Sequence, residues 1–212
     1  MCVPCILYRN TKTEYAEAFV KEGKTRFCPL TYYRSLEDNT RGDPHDGQFY
    51  VEKSPKRVAI RFKDLPAGHS LSGQWVEHKA IGDVALTISA AGSEHTLISC
   101  FSITQQPKFG SGCIEVFDVA GMLQHFADQL KKVSLQFKYG CVEYYSSESR
   151  KPSDETLWLN KRVFFSPEQE YRLAIPMSTE NLSFYSKQGL NFDGKIGADV
   201  EFGSLEKFCR LV

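Results

Sequence analysis

The chain has 212 residues, 42% hydrophobic and 13% aromatic, which is enough apolar content to bury a sizeable core and too much for an intrinsically disordered chain. Its 26 Lys and Arg balance its 26 Asp and Glu, so no net field draws it to nucleic acid or anionic lipid, and any such contact has to use a local patch. The length lies in the range over which strand-rich folds stay undivided, which predicts one domain over residues 1–212.

The stretch from Met1 to Arg9 lacks the charged leader and long apolar run of a signal peptide, and no segment has the length of a membrane span. Seven cysteines form an odd, scattered set, which points away from a disulfide framework and toward a reducing compartment. The expectation is a cytoplasmic protein with no membrane partner.

In chain order, Val3 to Tyr8 reads as a first strand with Arg9 at its end. Thr11 and Glu14 have capping-box spacing, Tyr15, Ala16, Phe19 and Val20 mark a helical face, and Gly23 supplies the stop. Lys24 to Leu30 reads as a strand broken at Pro29, followed by a short turn or helix that carries Tyr32 and Tyr33. Glu37 to Gly47 is polar and turn-rich, hence a surface loop. Phe49 to Val51 and Val58 to Phe62 are strands, and Lys63 to Gly82 reads as loosely organised.

Val84 to Ser89 and His95 to Thr104 flank Ala90-Ala91-Gly92-Ser93, a hairpin signal. Ile114 to Phe117 continues the sheet, and Asp118 caps a helix on which Met122, Phe126 and Leu130 recur before Lys131 and Lys132. Ser134 to Tyr145 is strand, Thr156 to Val163 a short helix, and Glu170 to Ile175 and Leu182 to Tyr185 are the last strands. The fold class that results is α+β: a strand-rich single domain of mixed or antiparallel sheets with a few flanking helices.

The most informative stretch for chemistry runs from Lys161 to Leu173. Glu168 and Glu170, at i and i+2 on a strand, would project from one face, either as two solvated acids at a sheet rim or as a carboxylate pair that stabilises positive charge. A pair of that kind suits reaction at a sugar's anomeric carbon, where the transition state is oxocarbenium-like.

An arginine closing the first strand (Arg9), serines on a mid-chain strand (Ser99 and Ser102 in LISCFS) and Glu168-Gln169-Glu170 opening a later strand resemble, in that order, the arginine-serine-glutamate layout of ADP-ribosyltransferases. The segments GKTRFCPLTYYRSLEDNTRGDPHDG, ISCFS and PEQEYRL also resemble poorly characterised bacterial and phage-associated proteins, some of them near defence or toxin genes. The first resemblance implies an ADP-ribosyltransferase-like fold and NAD as substrate. It gives Glu170 the ribose hydroxyl and the oxocarbenium ion, and Glu168 the acceptor group.

By the same resemblance Arg9 meets the pyrophosphate, Ser99 or Ser102 lies near the nicotinamide ribose, and Tyr32 or Tyr33 stacks on the nicotinamide. The partner implied is a macromolecular acceptor, nucleic acid or protein, with an antitoxin or another protein as a further partner of a toxin or phage-defence effector. The Ser-Thr-Ser tripeptide of that layout is replaced by Ser99-Cys100-Phe101-Ser102, which leaves open the hydroxyl that matters. The competing reading is a non-catalytic recognition module that uses the same rim and the Glu37 to Gly47 loop to hold a protein or nucleic acid.

Other candidates carry less. Cys2-x-x-Cys5 has zinc-ligand spacing but no second ligand pair follows it closely. Glu37, Asp38, Asp43 and Asp46 could hold a hard cation, but their spacing matches no calcium loop and favours a solvated turn. A cysteine nucleophile with one of His45, His69, His78, His95 or His125, and a basic run through Lys53, Lys56, Arg57, Arg61 and Lys63, complete the set.

Overall fold

The computed structural model describes residues 3–34, 46, 48–53, 57–61, 75–79, 84–88, 96–146, 154–177, 191–192 and 197–212. Its elements are β1 (Leu7–Thr11), α1 (Thr13–Glu22), β2 (Lys24–Pro29), α2 (Leu30–Arg34), β3 (Phe49–Lys53), β4 (Arg57–Arg61), β5 (Trp75–Lys79), β6 (Val84–Ile88), β7 (Leu97–Ser102) and β8 (Gly112–Val116). There follow α3 (Val119–Lys132), β9 (Lys138–Cys141), β10 (Glu143–Tyr145), β11 (Asn160–Arg162), β12 (Glu170–Ile175), β13 (Asn191–Phe192), β14 (Ala198–Glu201) and β15 (Cys209–Leu211). Among the described residues, 3-10 turns lie at Pro107–Phe109, Asp154–Leu159 and Val163–Glu168. The class is α+β, with an antiparallel nine-stranded sheet at its centre. None of the described helices is long and apolar enough to cross a membrane.

β7 is the hub of that sheet. Along one edge it pairs with β12 from Ser102↔Glu170 to Leu97↔Ile175. Its other edge is shared: Leu97 and Ile98 pair with Pro29 and Cys28 of β2, while Ser102 pairs with Tyr8 of β1. The register assigns residues 99–101 to neither, so β1 and β2 diverge along β7 and the sheet forks there. Beyond β1 lie β8 and β15, and beyond β2 lie β14 and β13.

Each face of the sheet buries its own cluster. The period-2 alternation of β12 sends Tyr171, Leu173 and Ile175 into the larger core, with Leu7, Phe19, Phe101, Met122 and Phe126, beneath α1 and α3. Ala174 turns to the opposite face with Leu30, Ile98, Trp158 and Leu159. Phe126 stacks on Phe202 at 3.8 Å, and full burial of a ring of this size contributes about 1.5–3 kcal/mol. α3 forms as the spacing predicts: Met122, Phe126 and Leu130 are buried, Gly121 N–H donates to Asp118 Oδ1 at 2.9 Å, and Lys131 and Lys132 occupy the last turn.

α1 stops at Gly23 because that position needs φ of +69°, and a Cβ there would also collide with the Gly203 carbonyl oxygen. The Thr11–Glu14 capping box does not form. Lys12 is the N-cap without a side-chain bond, and Thr13 Oγ1 instead meets Ser111 Oγ at 3.1 Å. Tyr15, expected on the apolar face, is exposed, while Ala16, Phe19 and Val20 are buried.

Long-range pairing overrides two local expectations. The hairpin between residues 84–89 and 95–104 is not made: β6 pairs with β3, and β7 enters the large sheet. The tract from Lys63 to Gly82 holds a strand, β5, paired with β4 from Arg57↔Lys79 to Arg61↔Trp75. Strands β13, β14 and β15 were not expected, and the expected strand at residues 182–185 lies outside the described residues, as do 90–93.

Candidate active site

A cavity of about 360 Å³ opens at the fork of the sheet, lined by β1, β2, α2, β7 and the approach to β12. Of the candidates, Arg9, Tyr32, Tyr33, Ser102, Glu168 and Glu170 line it. Ser99 does not; it is fully buried one layer behind, where its Oγ accepts a 2.9 Å hydrogen bond from Arg9 Nη1.

Arg9 is the third residue of β1 and not its end. It is half-buried, with its guanidinium carbon 5.6 Å from the ring centre of Phe19 and 5.3 Å from that of Phe101. Burial lowers its pKa from the usual arginine value, yet a guanidinium stays charged at any physiological pH. Among the described residues it forms no ion pair. A half-buried cation held by rings and one hydroxyl leaves its remaining donors for an anion in the cavity.

Tyr32 and Tyr33 stand edge to face at 5.4 Å on α2, and the Tyr33 hydroxyl makes a long 3.4 Å bond to the Ile98 carbonyl. Burial raises the Tyr33 phenol well above its ordinary value, so it remains neutral. Ser102 Oγ donates to the Glu168 carbonyl at 2.6 Å and so secures the chain just before β12.

The two glutamates converge, but not by strand alternation. Glu168 ends a 3-10 turn that contains Pro167, and Gln169 takes a left-handed φ of +44° before β12 begins at Glu170. That kink replaces the expected i, i+2 pleat. A cation then brings the carboxylates together: Lys161 Nζ donates to Glu168 Oε2 at 2.6 Å and to Glu170 Oε2 at 3.3 Å. Tyr144 braces the junction, its hydroxyl accepting the Glu170 N–H at 2.9 Å.

Glu170 is bound a second time by Arg172, two residues along on the same face. Arg172 Nε reaches Oε1 at 2.7 Å and Nη2 reaches Oε2 at 3.1 Å. The same guanidinium takes Asp46, with Nη2 donating to Oδ2 at 2.9 Å and Nη1 in ionic contact with Oδ1 at 2.7 Å, while Nη1 also donates to the Trp158 carbonyl at 2.7 Å. Arg172 is fully buried and Asp46 is 1% exposed, so the surface turn expected around Asp46 is overturned at that residue.

Burial alone would raise the Glu170 carboxyl, but Arg172 and Lys161 outweigh it and hold Glu170 well below the carboxylate range. Asp46 and Glu168 are raised, in each case by burial against the pull of Arg172 or Lys161. Burial works against the Lys161 ammonium, yet Glu170 and Asp46 raise it further than burial lowers it. Three carboxylates, Asp46, Glu168 and Glu170, are thus bridged by Lys161 and Arg172, while Arg34 Nε donates to the Asp46 carbonyl at 2.7 Å. Cys100, which lines the cavity with Glu170, is raised by burial and by that carboxylate and is an inert thiol.

Sequence reasoning missed the roles of Lys161, Arg172 and Asp46. Arg172 carried a usable signal, because a cation two residues from an acid on one strand shares its face. Asp46 carried none, since its partner is 126 residues away.

The lesser candidates do not assemble. Cys5 is exposed, Cys2 lies outside the described residues, and among the described residues no three metal-ligating side chains are placed to hold a metal ion. Glu37, Asp38, Asp43, His45, His69, His95, Lys56 and Lys63 lie outside the described residues, as do the side chains of His78, Lys53, Arg57 and Arg61. His125 Nε2 is 2.7 Å from the Phe202 carbonyl, a bond within the packing of α3. Comparison with family models, with curated proteins and with solved structures gives no match, so the site is read from its own geometry.

Proposed function

We propose that this chain is an ADP-ribosyltransferase-like enzyme that takes NAD into the cavity at the sheet fork and passes ADP-ribose to a macromolecular acceptor, protein or nucleic acid. One observation carries the reading: Arg9, Tyr32, Tyr33, Glu168 and Glu170, drawn from three distant segments, line one cavity. Arg9 supplies guanidinium donors to the pyrophosphate, and the tyrosines supply an aromatic face to the cationic nicotinamide. The bond from ribose C1′ to nicotinamide breaks with its electron pair leaving on nicotinamide. Positive charge then develops beside the Glu168 and Glu170 carboxylates on the cavity wall, which favours that transition state. The acceptor's nucleophile bonds to C1′ and its proton passes to solvent or to Glu168, whose raised carboxyl suits a base.

A second reading, the non-catalytic recognition module, is favoured by one observation: both Glu170 oxygens are occupied by Arg172, so this carboxylate is satisfied without any ligand. Nicotinamide release and the melting temperature with and without NAD separate the two. The enzyme reading expects NAD to raise the melting temperature and Glu168→Gln to slow release by roughly a hundredfold or more. No thermal shift, together with no release above a heat-killed control, would sink it in favour of the module.

A further inference from the structure

The hydrogen-bond inventory of Lys161 points to a ligand group. Lys161 is 3% exposed, its ammonium carries three protons, and the residue lines the cavity. Two protons go to Glu168 Oε2 at 2.6 Å and Glu170 Oε2 at 3.3 Å, and the Phe165 ring centre lies 4.8 Å from Nζ. No third acceptor is within reach among the described residues. On the same carboxylate that takes the first proton, Glu168 Oε1 is buried and also without a partner. A donor and an acceptor stand unmet side by side, each at the desolvation cost of an unmade bond.

We infer that Lys161 and Glu168 form a hydroxyl clamp, in which one ribose hydroxyl of the bound nucleotide accepts from the Lys161 ammonium and donates to Glu168 Oε1. A hydroxyl is the smallest group that both accepts and donates through one atom, which is what adjacent unmet partners of opposite sense require. The two oxygens of one carboxylate are closer together than a hydrogen bond is long, so Nζ and Oε1 lie within reach of a single oxygen. Oε1 is buried in the unliganded arrangement although Glu168 lines the cavity, and a small turn about the soft terminal torsion, with the flexible Lys161 following Oε2, presents it to the ligand. The inference rests on the cavity taking a ribose-bearing ligand. It transfers the hydroxyl from Glu170, whose oxygens are held by Arg172, to a pair whose bonding is incomplete, and it makes Lys161 a specificity-determining residue.

The test compares binding of NAD, ADP-ribose and AMP with that of their 2′-deoxy and 3′-deoxy counterparts, in the wild type and in Lys161→Met and Glu168→Gln. The wild type is expected to bind one of the two deoxy series at least about tenfold more weakly than the parent, because a hydroxyl bonded to charged groups leaves them unpaired when it is removed. Both variants are expected to lose that discrimination while the parent's affinity falls toward that of the deoxy ligand. Equal binding of parent and deoxy ligands by the wild type overturns the clamp, even where NAD is cleaved and the enzyme reading stands. Discrimination on AMP with no binding or cleavage of NAD upholds the clamp and sinks the enzyme reading, and binding of none of these ligands removes both. The wild-type series decides the matter even where Lys161→Met fails to fold, and the Glu168→Gln series decides it with the ammonium intact.

Discussion

Two arginines on neighbouring parts of the site are held in opposite ways. Arg172, fully buried on β12, has every guanidinium nitrogen engaged by Asp46, Glu170 or the Trp158 carbonyl. Arg9, half-buried on β1, has one hydroxyl and two ring faces. The difference teaches that charge in a cavity is not of one kind. Arg172 fixes the architecture of the wall and has nothing left for a ligand, whereas Arg9 has donors to spare.

The largest effect that could break this contrast is on stability. Arg172→Met strands the carboxylates of Asp46 and Glu170 in the interior, and urea denaturation should show a loss of about 3–5 kcal/mol. A loss below about 1 kcal/mol would mean that solvent reaches the network and that Arg172 is no different from a surface residue. Glu170→Gln keeps the shape but removes the charge that Arg172 and Lys161 share, at an expected loss of about 1.5–3 kcal/mol. Arg9→Ala should cost about 1–2 kcal/mol, the worth of half-buried cation–π contacts with Phe19 and Phe101 and one hydrogen bond. Its effect belongs in titration calorimetry with ADP-ribose, as a weakening of roughly tenfold or more.

Acid sharpens the comparison further. Glu170 titrates below the ordinary glutamate value of 4.5, so its ionised form stabilises the fold, and that contribution is present above this value and lost as the pH falls through the lower folded one. Asp46 and Glu168, raised by burial, act with the opposite sign and recover a little stability when they protonate first. Melting temperatures should therefore hold level or rise slightly from neutrality to about pH 5 and drop steeply below about pH 4. The smallest effect is expected at the rim, where Arg26 meets Asp199 at 3.1 Å with both side chains exposed. Asp199→Asn should cost no more than about 1 kcal/mol, and less in high salt.

What the sequence revealed tracks the range of the interactions. β12 begins and ends at the expected residues, and α3 forms with its expected cap and apolar stripe, because both follow from short-period patterns and a local hydrogen bond. The convergence of Glu168 and Glu170 was anticipated for the wrong reason: the left-handed Gln169 breaks the pleat, and Lys161 restores the proximity. The fork itself left no trace in any single window. It depends on β7 meeting β1, β2 and β12, which lie tens of residues away on both sides, and the same distant pairing removed the hairpin that residues 84–104 suggested locally.

That branching gives the cavity an unusual mechanical standing. The sheet strands in its walls are the innermost one and three that only this one holds in common, with α2 and Lys161 of β11 completing the lining. A molecule lodged there would slow amide exchange in β1, β7 and β12 together, and its binding free energy would add to the resistance of the whole sheet to unfolding, not to that of one loop.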